Sequence, residues 1–458
     1  TVTQFTLRPA MGVKLSKITT LSNDLSLALA AHPIRIEAPI PGKPLVGIEV
    51  PNKKSAIVGL RDLFEGDEFK KNKYFLPLVL GRDVAGFPVY SGLEKMPHLL
   101  IAGATGTGKS VGINAILLSL LYRHSPDVLK LILVDPKRVE LSLYNGIPHL
   151  ITPVIVDTKK VVNALRWSVR EMEKRYEKLS ESGSRDIFSY NAKQTAVQKE
   201  IMPFIVIVID ELADLMAAHG RDVEAAIVRI AQMARAVGIH LIVSTQRPSV
   251  EVITGLIKAN ITTRMAFQVA SQVDSRTILD MSGAEKLLGN GDMLYQAGDT
   301  SKPRRLQGAF VTEKEVKDVV KFIKQQTEQL EEEGETSGEP DKLKLEIDEN
   351  VSDGSSFGED DSMGDSLFFD AKEVVAQAGK ASASLLQRRL KVGYARAARL
   401  LDLLEERGII GPGEGAKPRE VYIGREAAPR EDNFVDDGSV AEVVSADSKE
   451  DDKIAVEE

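Results

Sequence analysis

The octapeptide Gly103-Ala-Thr-Gly-Thr-Gly-Lys-Ser110 constrains this chain more than any other feature, because of what stands on either side of it. Before it runs Leu99-Leu-Ile-Ala102, an apolar run of strand length. After it, Ile113, Ile116, Leu117, Leu120 and Leu121 recur on one helical face. A strand, a glycine-rich turn ending in Gly-Lys-Ser and then a helix is the pattern of a phosphate-binding loop. Gly106 and Gly108 let backbone amides turn inward around an anion, and the helix N-terminus adds the positive end of its dipole. A glycine turn with no ligand is the plainer alternative, and the flanking context disfavours it. The nucleotide-binding set is therefore Gly103, Ala104, Thr105, Gly106, Thr107, Gly108, Lys109, Ser110 and Val111. Lys109 is expected to reach the β- and γ-phosphates and Ser110 to ligate Mg2+, so ATP and Mg2+ are the expected cofactors.

The surrounding pattern suits such a loop. Leu129-Lys-Leu-Ile-Leu-Val134, Phe204-Ile-Val-Ile-Val-Ile209 and His240-Leu-Ile-Val-Ser244 are further apolar runs without alternation, as in strands covered on both faces. Helical stretches lie between them. Val162, Leu165, Val169, Met172, Tyr176 and Leu179 are spaced three and four apart and form one stripe. The expected fold is α/β, a P-loop domain on a largely parallel sheet. It is flanked by a small N-terminal α/β domain and a C-terminal winged helix-turn-helix.

Two strand ends carry further candidates. Phe204 to Ile209 ends in Asp210-Glu211, and carboxylates closing a buried strand are costly unless they bind something. Asp210 is placed for the magnesium shell and Glu211 for orienting and deprotonating an attacking water. Alone, such an end is more often a strand meeting solvent; the phosphate loop changes that balance. Ser244-Thr-Gln246-Arg-Pro248 offers Thr245 and Gln246 as sensors of the γ-phosphate, against the plainer reading of a polar loop start. Asp135-Pro-Lys-Arg138 ends another strand in the same way, with no chemistry assigned. For an arginine that crosses to a neighbouring subunit, Arg264 is the first choice and Arg276 the second, although an arginine is more often a surface or ion-pair residue.

Composition excludes several classes. The 458 residues contain no cysteine, which removes disulfides, thiol catalysis and thiolate zinc sites, and the six histidines form no metal pattern. No stretch reaches the roughly 20 apolar residues of a membrane span. Because the chain opens at Thr1 inside patterned sequence, it is expected to be a fragment, and a missing anchor or targeting signal carries no weight. The net charge of −8 conceals a split: residues 328–365 hold 15 acidic residues against two lysines, and 424–458 are also acidic. Without them the rest of the chain is basic, at about +13, as phosphate-binding proteins often are. The expected domains are 1–75, 76–327 for the ATPase, a flexible acidic linker over 328–365, a winged helix over 366–424, and a disordered tail over 425–458. In the first of these, a helix around Leu21 to Ala31 is expected to start after a Ser22 cap.

The module after Ser366 has winged-helix order. Helices are predicted over Asp370–Ala378, Ala383–Leu390 and Tyr394–Arg407, the last ended by Gly408 and followed by short strands around a glycine-rich wing. Ala397, Leu401 and Leu404 face the core. Arg388, Arg389, Lys391, Tyr394, Arg396 and Arg399 form the candidate DNA-binding set, since such a helix can enter the major groove. A winged helix used for protein contact is the alternative.

Taken together, Gly103 to Asn114, Val134-Asp-Pro-Lys137, Val208 to Met216, Gly238 to Pro248, Gly289-Asn-Gly-Asp-Met-Leu-Tyr295, Gly393-Tyr-Ala-Arg-Ala-Ala-Arg399 and Glu414 to Glu420 resemble the FtsK/SpoIIIE family of DNA translocases over nearly all of residues 1–423. The resemblance implies alpha, RecA-like beta and winged-helix gamma domains. It further implies a homo-hexameric ring that pumps double-stranded DNA through the division septum, with the gamma domain reading polar sequences and, in some members, activating a site-specific recombinase. Family members carry an N-terminal membrane domain, so this chain would be a cytoplasmic portion. Ala395 stands where some relatives have Asn or Thr, which bears on the preferred DNA sequence. Two other readings stay open. A protein-export ATPase is disfavoured by the winged helix. A DNA-binding regulator with nucleotide as a switch is disfavoured by Glu211.

Overall fold

The computed structural model describes residues 1–300, 302–332, 368–390, 392–406, 409–412 and 419–422. They divide into two compact units, one within Thr1–Asp360 and one within Asp361–Glu458.

The first unit begins with an antiparallel sheet in the order β1 (Val2–Leu7), β3 (Val46–Pro51), β2 (Arg35–Glu37). Between β1 and β2 lie α1 (Leu15–Thr19) and α2 (Ser22–Ala28). Ser22 is the first helical residue and its side chain caps nothing, contrary to the expected start; Leu21 occupies the cap position.

Next come α3 (Leu60–Glu65) and α4 (Asp67–Lys70). Leu60, Leu63 and Phe69 are buried in the core of the large sheet, and Leu60 N–H donates to Phe310 O at 3.0 Å. Residues 60–70 thus side with the ATPase, and the small N-terminal domain ends well before residue 75.

The large sheet has nine strands. β7 (Leu129–Val134), β8 (Phe204–Ile209), β9 (Ile239–Thr245), β6 (His98–Ala102) and β10 (Thr263–Phe267) run parallel in that spatial order. From β10 the sheet continues antiparallel through β11 (Asp292–Gln296), β12 (Arg304–Gly308), β4 (Pro77–Asp83) and β5 (Pro88–Gly92). The apolar runs mark the parallel strands because burial on both faces favours unbroken Val, Ile and Leu; all six residues of β8 are buried. The antiparallel strands interrupt their apolar residues with Gly, Arg and Gln, so only the parallel half announces itself in sequence.

Helices cover both faces: α5 (Lys109–Arg123), α6 (Thr158–Glu181), α7 (Ile187–Ala196), α8 (Leu212–Met233), α9 (Gly255–Asn260), α10 (Gln272–Leu279) and α11 (Glu313–Glu332). Asp157 caps α6 by accepting from Lys159 N–H at 2.8 Å, and the stripe inferred from sequence is its core face, with Val162, Leu165, Val169, Met172 and Leu179 buried. Helix α11 runs on to Glu332, five residues into the expected linker. The rest of that linker and the C-terminal tail lie outside the described residues.

The second unit holds α12 (Phe368–Ala378), β13 (Lys380–Ala381), α13 (Ala383–Leu390), α14 (Tyr394–Glu406) and β14 (Arg419–Glu420), with β13 and β14 antiparallel. Its core includes Val375, Leu386, Ala397, Leu400, Leu401, Leu404 and Ile410. This is the element order of a winged helix; strand β13 escapes the sequence reading, being two residues long. Gly408 and the glycine-rich wing at 413–415 lie outside the described residues.

Candidate nucleotide site and nucleic-acid module

Three parallel strands end at one place, and the loops leaving their carboxyl ends build the site, where open α/β sheets bind ligands. The phosphate loop leaves β6. Gly106 and Gly108 have φ of 77° and 107°, a region side chains avoid. A Cβ on Gly108 would stand 2.5 Å from the Gly291 nitrogen. That closeness reflects a brace: Gly291 N–H donates to Thr107 O at 2.8 Å, and Gly308 N–H donates to Gly291 O at 2.7 Å. The Gly289-Asn-Gly291 turn therefore backs the phosphate loop, a role its sequence did not disclose.

Lys109 opens α5 and is buried. Its ammonium donates to Asp210 O at 2.8 Å, Asp210 Oδ1 at 2.9 Å and Ser244 Oγ at 3.0 Å. Its three protons thus have three acceptors. Ser244, which the sequence reading passed over, also donates its hydroxyl to Asp210 O. The Ser110 hydroxyl donates to Glu140 Oε1 at 2.7 Å.

Glu211 leaves β8 fully buried and caps α8. Thr245 Oγ1 donates to Glu211 Oε1 at 2.6 Å, Gln246 N–H lies 3.2 Å from both carboxylate oxygens, and Lys137 Nζ lies 3.3 Å from Oε2. The Gln246 side chain reaches the other way, accepting from Thr105 Oγ1 at 2.7 Å. One dipeptide, Thr245-Gln246, thus holds the carboxylate on one side and touches the phosphate loop on the other.

The Asp135-Pro-Lys-Arg138 segment also acquires a role. Asp135 is buried, and its Oδ2 accepts from Glu140 N–H at 3.0 Å and Leu141 N–H at 2.9 Å, which fixes the loop that carries Lys137 and Glu140. Local sequence held no signal for Glu140 or Ser244, because both contacts span 30 residues or more.

A cleft of about 810 Å³ is lined by Ala104, Thr105, Gly106, Gly108, Lys109, Ser110 and Val111 together with Glu140, Gln246 and Asn290. Asp210 and Glu211 sit behind its wall. Gly103 and Thr107 do not line it: a Cβ on Gly103 would meet Phe267 at 2.6 Å, and Thr107 turns back to Ala104 O at 2.6 Å. The donor set suits magnesium, a hard cation that takes oxygen ligands and keeps waters. Ser110 and Asp210 would hold it, and no group of three or more potential ligands is needed or found among the described residues.

Arg264 is placed elsewhere, and here the structure corrects the expectation. It lies mid-strand in β10 with its guanidinium turned inward, donating to Asp280 Oδ2 at 2.5 Å, Lys258 O at 3.0 Å and Ile278 O at 3.2 Å. Burial opposes the charge of Asp280, yet bonds from Lys258 and Arg264 hold its carboxyl below the usual range. Within its own chain the Arg264 guanidinium is thus engaged by three acceptors, which points away from a crossing role. Arg276, on α10, is exposed.

Of the DNA-binding set, Arg388 and Arg389 are exposed at the C-terminal end of α13. Lys391 lies outside the described residues, as do the side chains of Tyr394, Arg396 and Arg399 on α14. Among the described residues no helix is long and apolar enough to cross a membrane.

A phosphate loop on the central strand, an acidic pair at the end of the second strand over, and a polar strand end between them define a RecA-like P-loop ATPase fold. The alpha-domain model of FtsK matches residues 1–52, the FtsK/SpoIIIE family model residues 59–250, and the gamma-domain model residues 362–424. The chain belongs to the FtsK/SpoIIIE family. It is 53% identical over 425 residues to a protein named DNA translocase FtsK from Caldanaerobacter subterraneus subsp. tengcongensis, covering 93% of this chain and 57% of that one. To DNA translocase SftA of Bacillus subtilis it is 53% identical, over 92% of this chain and 43% of that one. It thus spans about half the length of these relatives. Among solved structures, the pCW3 conjugation coupling protein TcpA, a monomer form with ATPγS, matches with TM-score 0.52 and 26% identity, over 70% of this chain and 89% of that one. The cytoplasmic domain of the Thermomonospora curvata type VII secretion ATPase EccC matches with TM-score 0.51 and 25% identity, over 59% and 34%.

Proposed function

We propose that this chain is the motor portion of an ATP-driven double-stranded DNA translocase acting in chromosome segregation at cell division. The observation that carries the proposal is the double engagement of Thr245-Gln246. Glu211 is held by the strand end whose Gln246 touches the phosphate loop, so occupancy of that loop is felt at the carboxylate. A site meant only to bind nucleotide needs no such acid.

In this reading the loop amides and Lys109 bind the phosphates, Lys109 exchanging part of its Asp210–Ser244 bonding for phosphate oxygens. Mg2+, when bound, neutralises phosphate charge. Ser110 and Asp210 would hold it, Ser110 through its hydroxyl oxygen and Asp210 through its carboxylate. Glu211 accepts the proton of the attacking water, and Gln246 positions that water. Similarity to proteins named DNA translocases runs through both motor and gamma modules, and TcpA was solved with ATPγS; both support the substrate pair of DNA and ATP. The proposed assembly is a homo-hexamer that closes around duplex DNA, with exposed Arg276 in place of Arg264 as the crossing arginine. The gamma module reads sequence through Arg388, Arg389, Lys391, Tyr394, Arg396 and Arg399 and offers a surface for a recombinase.

Steady-state ATP hydrolysis with and without long linear duplex at low salt tests this. Duplex is expected to stimulate wild type strongly and also a chain cut before Ser366. Glu211→Gln is expected to lower the rate by about 10²–10⁴-fold while binding nucleotide normally. If no duplex stimulates hydrolysis, the DNA motor is wrong, and an export ATPase of the EccC kind takes its place.

A further inference from the structure

We propose that Glu140 is a positioning residue of the Mg2+ site. Its carboxylate takes the Ser110 hydroxyl proton and so aims the Ser110 lone pairs at the metal; this rests on the ATP–Mg2+ reading above.

A serine hydroxyl has one proton and two acceptor lone pairs. At 2.7 Å the proton is committed to Glu140 Oε1. Both lone pairs are then left for a cation, and the hydroxyl cannot turn its proton toward that cation instead. The carboxylate also raises electron density on the oxygen, as the outer partners of metal ligands generally do. Its place is fixed from below: Asp135 at the end of β7 accepts from the backbone N–H groups of Glu140 and Leu141, and Asp135 N–H itself donates to Ile155 O at 2.9 Å.

Charge points the same way. Glu140 lines the cleft that the phosphate loop lines. An acid facing a polyphosphate repels it unless a cation stands between them. Among the described residues Glu140 has no ion-pair partner, and its carboxylate is recorded bonding only to Ser110. Three residues earlier Lys137 meets Glu211, so one short loop reaches both the metal side and the base side of the centre.

The test is a double-mutant cycle on metal affinity, read without turnover. Mn2+ binding in the presence of ADP is followed by electron paramagnetic resonance in wild type, Glu140→Ala, Glu140→Gln, Ser110→Ala and the Ser110→Ala/Glu140→Ala pair. ADP affinity in EDTA and the urea unfolding midpoint are measured alongside. Glu140→Ala is expected to weaken Mn2+ roughly 10- to 100-fold without weakening metal-free ADP binding, which loses a repelling charge. Glu140→Gln, whose amide oxygen still accepts from Ser110, recovers part of the loss. The double variant binds no more weakly than Ser110→Ala alone. Wild-type Mn2+ affinity in Glu140→Ala overturns the proposal. So does an additive loss in the double variant, which marks Glu140 as acting independently of Ser110, and so does an equal loss of metal-free ADP binding, which marks a merely structural role. If wild-type ADP binding is indifferent to metal, the ATP–Mg2+ reading itself falls first.

Discussion

Two buried charge clusters sit in the large sheet and its edges, and they are built on opposite terms. In the parallel half, Lys109 meets Asp210 and Ser244 beside an open cleft, and Lys137, its side chain 39% exposed, meets Glu211. In the antiparallel half, Arg305 is 2% exposed and is shared between two carboxylates. It donates to both oxygens of Asp292, at 2.9 and 2.5 Å, and to Glu49 of β3 at 2.7 Å, while Arg35 donates to the same Glu49 at 2.8 Å. Burial disfavours the Arg305 charge, yet the bonds to Asp292 and Glu49 outweigh it and hold its pKa above the ordinary arginine value. A bidentate guanidinium on planar carboxylates is suited to a fixed joint. A single ammonium with exchangeable acceptors is suited to a site that must trade partners. Burial alone therefore does not distinguish chemistry from architecture; whether the bonded partners can be exchanged does.

The largest effect expected is at the joint. Arg305→Met leaves Asp292 and Glu49 buried without a cation and should cost about 3–5 kcal/mol in urea unfolding. Lys109→Ala should abolish nucleotide binding at a smaller stability cost, since cleft water can reach Asp210. An equal cost would erase the distinction. The arginines sharpen the contrast at intermediate scale. Arg264→Ala removes charge-assisted bonds and should cost about 1.5–3 kcal/mol, whereas exposed Arg276→Ala should stay within about 0.5 kcal/mol yet lower hydrolysis if the proposed ring forms.

An effect that appears only on acidification lies at the opposite end of the parallel strands. Burial first, then neighbouring charge, lowers the pKa of His98 to about 3; burial lowers His240 to about 4. Each stays neutral in the folded chain while its unfolded counterpart protonates near 6.5. Stability should be full above that value and fall as pH drops toward 4, by at most about 1.4 kcal/mol per pH unit per histidine. His240→Phe should flatten the slope of unfolding free energy between pH 6.5 and 4.5; an unchanged slope assigns it to other groups.

What was legible in sequence follows the same physics. Gly103 to Ser110, Asp210-Glu211 and the four apolar runs could be read because each is a local pattern with a local cause. Glu140 and Ser244 could not, since a lone acid in a loop, or a serine closing a buried strand, shows no chemistry until the fold supplies its partner. Arg304-Arg305 reads as a surface pair, although strand alternation exposes the first and seals the second. Arg264 misled for the matching reason: the sequence shows an arginine after a polar stretch but not Asp280, which the chain folds back against it.

Gly291 and Asp292 are neighbours in the chain. One braces the phosphate loop through Thr107; the other anchors the Arg305 joint, and through Glu49 the N-terminal sheet. A ligand that quiets the loop thus acts on a segment one peptide step, about 3.8 Å, from a sealed charge cluster. Part of its binding entropy would then be drawn from a sheet it never touches, and slower amide exchange in β3 on nucleotide binding would show it. A second ligand that favours the stiffened sheet would meet a chain whose ordering cost has already been met.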